Sequence, residues 1–492
     1  MGEQVAGRTF TREDRQRYRE KVRRCLDALA QMLHQSLFEV RDPPLTGLEV
    51  ELNLVDARGE PAMRNTEVLA RIDNPAFVPE LGRFNLEINV PPQSLTGDGA
   101  AAYEQHIRRQ LNEANDRAHL AGAGMVMVGI LPTLRADHLT HEAISSNARY
   151  ALLDEQMLMA RGEDLHIDIR GPEWLETFSD SIAPEAACTS VQFHLQVSPD
   201  EFAATWNAAQ CLSAAQVGVG ANSPYLLGRE LWRETRIALF TQATDTRPAE
   251  MKAQGVRPRV WFGERWITSV FDLFEENSTY FPALLPVVDP EDPLAELAAG
   301  RIPGLHEMRL HNGTVWRWNR PVYDTVGGTP HLRVENRVLP SGPTVVDIMA
   351  NAALYFGAVR ALVAEDRPVW SRMSFGAAEE NFTAAAIHGL EATVYWPGMG
   401  EVPLAELVLR RLLPLAHEGL RRWGVDDAIR ERLLGIVEGR CASGRTGASW
   451  QVETVHALEA RGVDRWEALR QMTQGYVERM HSNEPVHTWP AL

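Results

Sequence analysis

From residue 48 to residue 54 apolar and polar side chains alternate without interruption: Leu48, Val50, Leu52 and Leu54 against Glu49, Glu51 and Asn53. A period of two belongs to a strand whose faces meet different surroundings, and it gathers both glutamates on one face. Residues 84–90 repeat the pattern, with Phe84, Leu86, Ile88 and Val90 opposed to Asn85, Glu87 and Asn89, and Pro91-Pro92 is expected to end that strand. A third strand is predicted over 190–197, where Ser190, Gln192, His194 and Gln196 make a polar face without a carboxylate. A later one, 332–338, sets Arg333, Glu335 and Arg337 against Leu332, Val334 and Val338. Between 305–310 and 315–318, Asn312-Gly313 predicts a hairpin, because that dipeptide tolerates positive φ.

Helical spacing fills the intervals. Thr11 with Asp14 three residues on caps a helix carrying Tyr18, Val22, Cys25, Leu26, Leu29, Met32 and Leu33, and further helices are expected near 99–121 and 149–160. Ser341-Gly342-Pro343 turns the chain into a helix capped by Thr344 with Asp347 and running to Val363. Beyond about residue 380, helical spacing dominates over 404–423, 427–438 and 454–481. Short connections among the later strands, with helices inserted irregularly, predict an α+β fold around an antiparallel sheet, with flanking helices and a mainly helical C-terminal region.

The 492 residues suffice for roughly three domains or fewer. Lys and Arg number 49 against 66 Asp and Glu, a net charge of −17, which argues against a non-specific grip on nucleic acid and against a membrane surface. Cys25, Cys188, Cys211 and Cys441 lie far apart with no CxxC pair, and buried thiols in a reducing cytosol are expected. A charged segment at 3–24 and apolar runs shorter than the ~20 residues that span a bilayer lead to an expected cytoplasmic location.

A single polar strand face is usually a wet one. Here two faces carry Glu49, Glu51, Asn53, Glu87 and Asn89 with no Lys or Arg, and facing carboxylates about 5 Å apart would repel. Divalent cations relieve such repulsion, and oxygen donors without clustered Cys or His select magnesium or manganese, which would bridge to phosphate oxygens. Arg333 and Arg337 could hold phosphate or carboxylate in a planar fork, with surface ion pairing as the plainer alternative. His194 is balanced between a structural role and a ligand or base. Gly439 to Thr446, GRCASGRT, is set aside as a phosphate loop, because Arg445 replaces the lysine and the preceding segment is helical in pattern.

The segment Gly47-Leu-Glu-Val-Glu-Leu resembles the GxExE strand of the glutamate-cysteine ligase family, in its bacterial and plant-type carboxylate-amine ligase branch. Glu80 with Glu87, Cys188-Thr-Ser-Val-Gln-Phe-His, Ala221-Asn-Ser-Pro-Tyr followed by Arg236, Val334-Glu-Asn-Arg-Val-Leu-Pro and Asn483-Glu-Pro-Val-His-Thr-Trp-Pro match in order. The resemblance implies a curved antiparallel sheet of the glutamine synthetase catalytic type whose polar face binds ATP, metal and glutamate. Residues 1–380 would be the ATP- and glutamate-binding catalytic domain, and 381–492 a helical region packed on it. By resemblance Glu49, Glu51, Glu80, Glu87 and Glu335 would ligate magnesium or manganese, Arg337 would meet phosphate and Arg236 the substrate glutamate. Gln192 and His194 would contact substrate or nucleotide, and Arg149-Tyr150 resembles a family pair. Some relatives supply another acidic ligand before a Pro-containing turn, whereas 125–131 before Pro132 is wholly apolar, which leaves the metal count open.

The expected activity is ATP-dependent joining of glutamate to cysteine through a glutamyl phosphate. The partners would be small molecules, with no nucleic acid or membrane, and the oligomeric state stays open. The same activation with a different amine, and a glutamate- or nucleotide-sensing protein without turnover, are the alternatives.

Overall fold

The computed structural model describes residues 10–491. Helix α1 (Arg12–His34) starts as its cap predicts: Asp14 N–H donates to Thr11 Oγ1 at 3.1 Å and Thr11 N–H donates back to the Asp14 carboxylate at 2.9 Å. Its stripe of Tyr18, Val22, Cys25, Leu26, Leu29 and Met32 is buried, with the helices Val270–Tyr280, Pro293–Ala298 and His306–Asn312 against it.

Seven strands build the main sheet: β1 (Thr46–Val55), β2 (Phe77–Pro79), β3 (Asn85–Gln93), β4 (Gly124–Val126), β5 (Ser190–Val197), β6 (Asn319–Val326) and β7 (Thr329–Pro340). The spatial order is β6-β7-β5-β1-β3-β2, with β4 taking the edge of β1 beyond the end of β5, and every ladder is antiparallel. Register shifts at Thr46/Leu48 and Asn336/Leu339 bend the ladders, as bulges do, and the sheet curls into a half-barrel. The expected α+β class is thus the observed one.

Behind the sheet lie two helices buried almost all round, α2 (Pro199–Gly220) and α3 (Val345–Val363), with Phe193 of β5 stacked on Tyr355 at 6.0 Å. By length and mean hydropathy, 1.4, α3 could cross a membrane, a case the apolar-run estimate overlooked. It is 94% buried inside the protein, so its composition answers to the core. Across it runs a helix whose Gly419 meets Gly357 so closely that a Cβ there would lie 1.8 Å from the Gly357 carbonyl oxygen.

Several local expectations are corrected. Strand β3 continues through Pro91-Pro92 to Gln93, because the short β2 leaves that edge without a neighbour demanding N–H donors. Asn312-Gly313 is no hairpin: His306–Asn312 is a helix, Gly313 has φ −68°, and Asn312 is used sideways, donating to the Pro321 carbonyl at 2.8 Å. Residues 454–481 divide into Gly447–Ala460 and Arg465–Ser482 around Gly462 at φ +87°. The stretch 404–423 stays helical past Pro414 by widening into a π turn at Val408–Leu412. GRCASGRT is the end of one helix and the cap of the next, as its rejection requires. Three cysteines are buried and Cys188 is only partly so; all four are unpaired.

Candidate active site

The polar faces of β1, β3, β5 and β7 are not wet surfaces. They floor a cavity of about 470 Å³, roofed by Arg149 and Tyr150 at the start of helix Ala148–Arg161, by Ile182 and Glu185, and by Phe274, Leu310 and Trp316. Glu49, Glu51, Glu80, Glu87, Gln192, His194, Arg149, Tyr150, Arg333, Glu335 and Arg337 all line it. Arg236 does not. It is 2% exposed, its Nε donates to Glu234 at 3.2 Å, its Nη2 donates to the Val338 carbonyl, and its guanidinium lies 5.6 Å from the Trp318 ring.

Register explains the convergence. Glu51 faces Glu87 across β1 and β3, Glu49 faces Gln192 across β1 and β5, and Glu335 faces both His194 and Arg320. Gly47 stands opposite His194, where a Cβ would come within 3.3 Å of the histidine's own, so the bare backbone leaves the imidazole its place. The carboxylates form two sets, Glu49 with His194 and Glu335, and Glu51 with Glu80 and Glu87; within each, potential ligand atoms lie within 4.8 Å of one another.

The first set is matched by arginine and histidine side chains. Arg320 grips Glu335 with two nitrogens, Nη2 at 2.9 Å from Oε1 and Nε on Oε2, and His194 Nε2 lies 3.1 Å from Glu49 Oε1. Burial opposes ionisation of both acids, yet Arg320 and Arg337 hold Glu335 well below the usual range and His194 brings Glu49 down to about 2. Arg333 Nε donates to His194 Nδ1 at 3.1 Å. Arginine has only donors, so a neutral His194 carries its proton on Nε2, toward Glu49.

The second set has no such match. Glu51 accepts from Ser190 N–H at 2.6 Å and Gln192 Nε2 at 3.0 Å, Glu87 from Asn89 Nδ2 at 2.6 Å, and Glu80 from Leu81 N–H at 2.9 Å, all neutral donors. Burial and then the neighbouring carboxylates push Glu80 well up and Glu87 to about 8; burial also raises Glu51 despite Arg337. This is a buried, oxygen-only donor set short of positive charge, which fits magnesium or manganese.

Two participants escaped the sequence. Arg320 sits on β6, where Asn319, Pro321 and Tyr323 give no clear alternation. Glu185 belongs to a 3-10 turn, Ala183–Ala187, with no period at all, yet it lines the cavity, is raised by burial and by Glu51 to about 8, and in turn raises Glu80. It brings an acidic group to the wall from a different segment than the apolar run before Pro132.

An antiparallel half-barrel with paired carboxylate sets and arginines in one cavity is the architecture of a carboxylate–amine ligase, and the profile of glutamate-cysteine ligase family 2 (GCS2) matches residues 45–483. The chain belongs to that family. Among solved structures, the glutamate–cysteine ligase of Francisella tularensis, determined in complex with AMP, has the same fold: TM-score 0.56 at 13% identity, over 91% of each chain. A bifunctional glutathione synthetase from Pasteurella multocida gives a TM-score of 0.48 at 14% identity, over 93% of this chain and 55% of that one. A sequence comparison with curated proteins gives no match.

Proposed function

We propose that this ligase uses ATP to join the side-chain carboxylate of glutamate to the amine of cysteine through a glutamyl phosphate. The observation that carries the reading is the convergence of Glu51, Glu80 and Glu87 with Arg149, Arg333 and Arg337 on one cavity in a member of this family. In-line phosphoryl transfer to a carboxylate brings anions together, and positioned positive charge is what lowers that barrier.

Glu51, Glu80 and Glu87 would hold one magnesium or manganese ion. Glu49 and Glu335 would take part in a second site, where the positions of Arg320 and His194 must yield. Bound metal supplies charge neutralisation for the phosphate oxygens. Arg337 and Arg333 meet the transferred phosphate, with Arg149 and Tyr150 closing over it. Gln192, already bonded to Glu51, fixes the floor on which the carboxylate lies. Arg236, behind that floor and paired with Glu234, braces β7 from below through the Val338 carbonyl. The roof keeps water from the acyl phosphate until the amine arrives. A cytoplasmic setting belongs to this reading, since ATP and a free thiol substrate coexist there.

A different amine is the second reading. It is favoured by the apolar wall of Leu153, Met157, Ile182 and Phe274, which offers a thiol-sized side chain no polar partner. Purified protein with ATP, magnesium and glutamate should release ADP fastest when cysteine is added, with glutamylcysteine detected by mass. Product with another amine but none with cysteine transfers the assignment to that amine. Absence of ADP with every amine removes the ligase reading.

A further inference from the structure

We infer that the C-terminal helices act on the site: through Gln451 and Tyr476 they hold Asn222, and through Asn222 they position Arg236 and the β1 strand at Glu51. The inference rests on the function proposed above. Asn222 is completely buried. Its Nδ2 donates to the Ser341 carbonyl and to Tyr476 Oη, each at 2.8 Å, and its Oδ1 accepts from Gln451 Nε2 at 2.9 Å. Tyr476 in turn donates its hydroxyl proton to the Met127 carbonyl at 2.8 Å. Both amide hydrogens and the amide oxygen are therefore used. The helix Gly447–Ala460 begins directly on this amide: a Cβ at Gly447 would lie 2.1 Å from Asn222 Oδ1.

Two routes lead from Asn222 to the cavity. Its backbone N–H donates to Glu234 Oε2 at 2.8 Å, while Ser223 Oγ and Arg236 Nε donate to Glu234 Oε1 at 2.7 and 3.2 Å. Glu234 is fully buried, so these donors fix its carboxylate, and the carboxylate aims Arg236. Along the second route Ser341, whose carbonyl accepts from Asn222, donates its hydroxyl to the Glu51 carbonyl at 2.6 Å. Tyr476 and Gln451 are thus positioning residues, each three contacts from Arg236 behind the cavity floor and from the Glu51 backbone.

The test compares Tyr476→Phe, which keeps the ring packed on Trp450 and Trp489 and removes only the hydroxyl, with Arg445→Ala. Arg445 secures the same region by donating to the Trp489 carbonyl at 2.8 Å and to Glu453, without touching Asn222. Tyr476→Phe should raise the KM for glutamate about fivefold with kcat within about twofold, the signature of a lost binding contact. It should also weaken Mn²⁺ binding by about the same factor in an electron paramagnetic resonance titration. Gln451→Met, a second route to the same node, should shift both readouts in the same direction. Arg445→Ala should lower Tm at least as much and leave both unchanged. Unchanged KM and Mn²⁺ affinity in both node variants, or equal shifts in Arg445→Ala, overturn the inference and leave the helices a scaffold. Failure of the ligase reading appears separately, as wild-type protein that forms no ADP; Mn²⁺ affinity then decides the inference without turnover.

Discussion

Two sets of acidic residues share one cavity and differ in what faces them. Glu49 and Glu335 meet His194 and Arg320; Glu51, Glu80 and Glu87 meet amides, backbone N–H groups and one another. Arginine and histidine favour the charged form of the first set, whereas burial and mutual repulsion disfavour it in the second. Clustered carboxylates therefore do not define equivalent metal sites. On the proposed function, the cations already present would decide which set draws metal by itself and which needs the phosphates of a nucleotide.

The largest effect that would break this contrast is on catalysis. Glu51→Gln keeps shape and removes charge, and turnover should fall roughly 10³-fold with an unchanged circular dichroism spectrum. Glu335→Gln should be as damaging to turnover, since the proposed second site would serve the phosphates. Full activity in either variant removes that residue from the metal set.

Removal of Arg320 sharpens the contrast. Arg320→Met leaves Glu335 buried without its partner and should destabilise the protein by about 3 kcal/mol, toward the low end for a broken buried pair because Arg320 keeps 19% of its side-chain area exposed. Added magnesium should restore much of that loss in thermal unfolding, because the freed site then accepts a cation. No restoration would mean that the site does not bind metal in this protein.

A smaller effect is on pH dependence. Burial and then neighbouring carboxylates push Glu87 and Glu185 up to about 8 from an ordinary value near 4.5, so the folded state favours the extra protons and metal-free stability should fall as pH rises from about 4.5 to about 8. Glu49 runs the other way: its contribution is present above about 4.5 and is lost as pH falls through about 2. Unfolding temperatures measured between pH 5 and 8 should slope downward in a chelator and flatten in magnesium. Equal slopes in the two conditions would contradict a cation-starved Glu51 set.

Much of this site was legible because alternation on a strand is strict. Glu49, Glu51 and Glu87 were placed on polar strand faces by period alone, and Glu335 and Arg337 by the same reasoning on β7. Which strands are neighbours is a long-range property, so the pairing of Glu51 with Glu87, and of Glu335 with Arg320, was not readable. Glu80, just beyond β2, and Glu185, in a 3-10 turn, lack periodic context; resemblance supplied the first and nothing supplied the second. Asn312-Gly313 misled because turn chemistry is permissive: a helix can end there with ordinary φ when Asn312 has tertiary partners. The division at residue 380 is a proposal that truncation tests: a chain ending there should aggregate, since apolar Leu407, Leu412 and Leu413 lie buried beyond the cut.

The most direct measurement is a Mn²⁺ titration of nucleotide-free protein by electron paramagnetic resonance, in wild type, Glu51→Gln and Glu335→Gln. The account predicts one tight ion per chain, lost in Glu51→Gln and kept in Glu335→Gln, with a second ion appearing only when a nucleotide is added. Two equivalent ions without nucleotide, or a tight ion that survives Glu51→Gln and vanishes in Glu335→Gln, would contradict it.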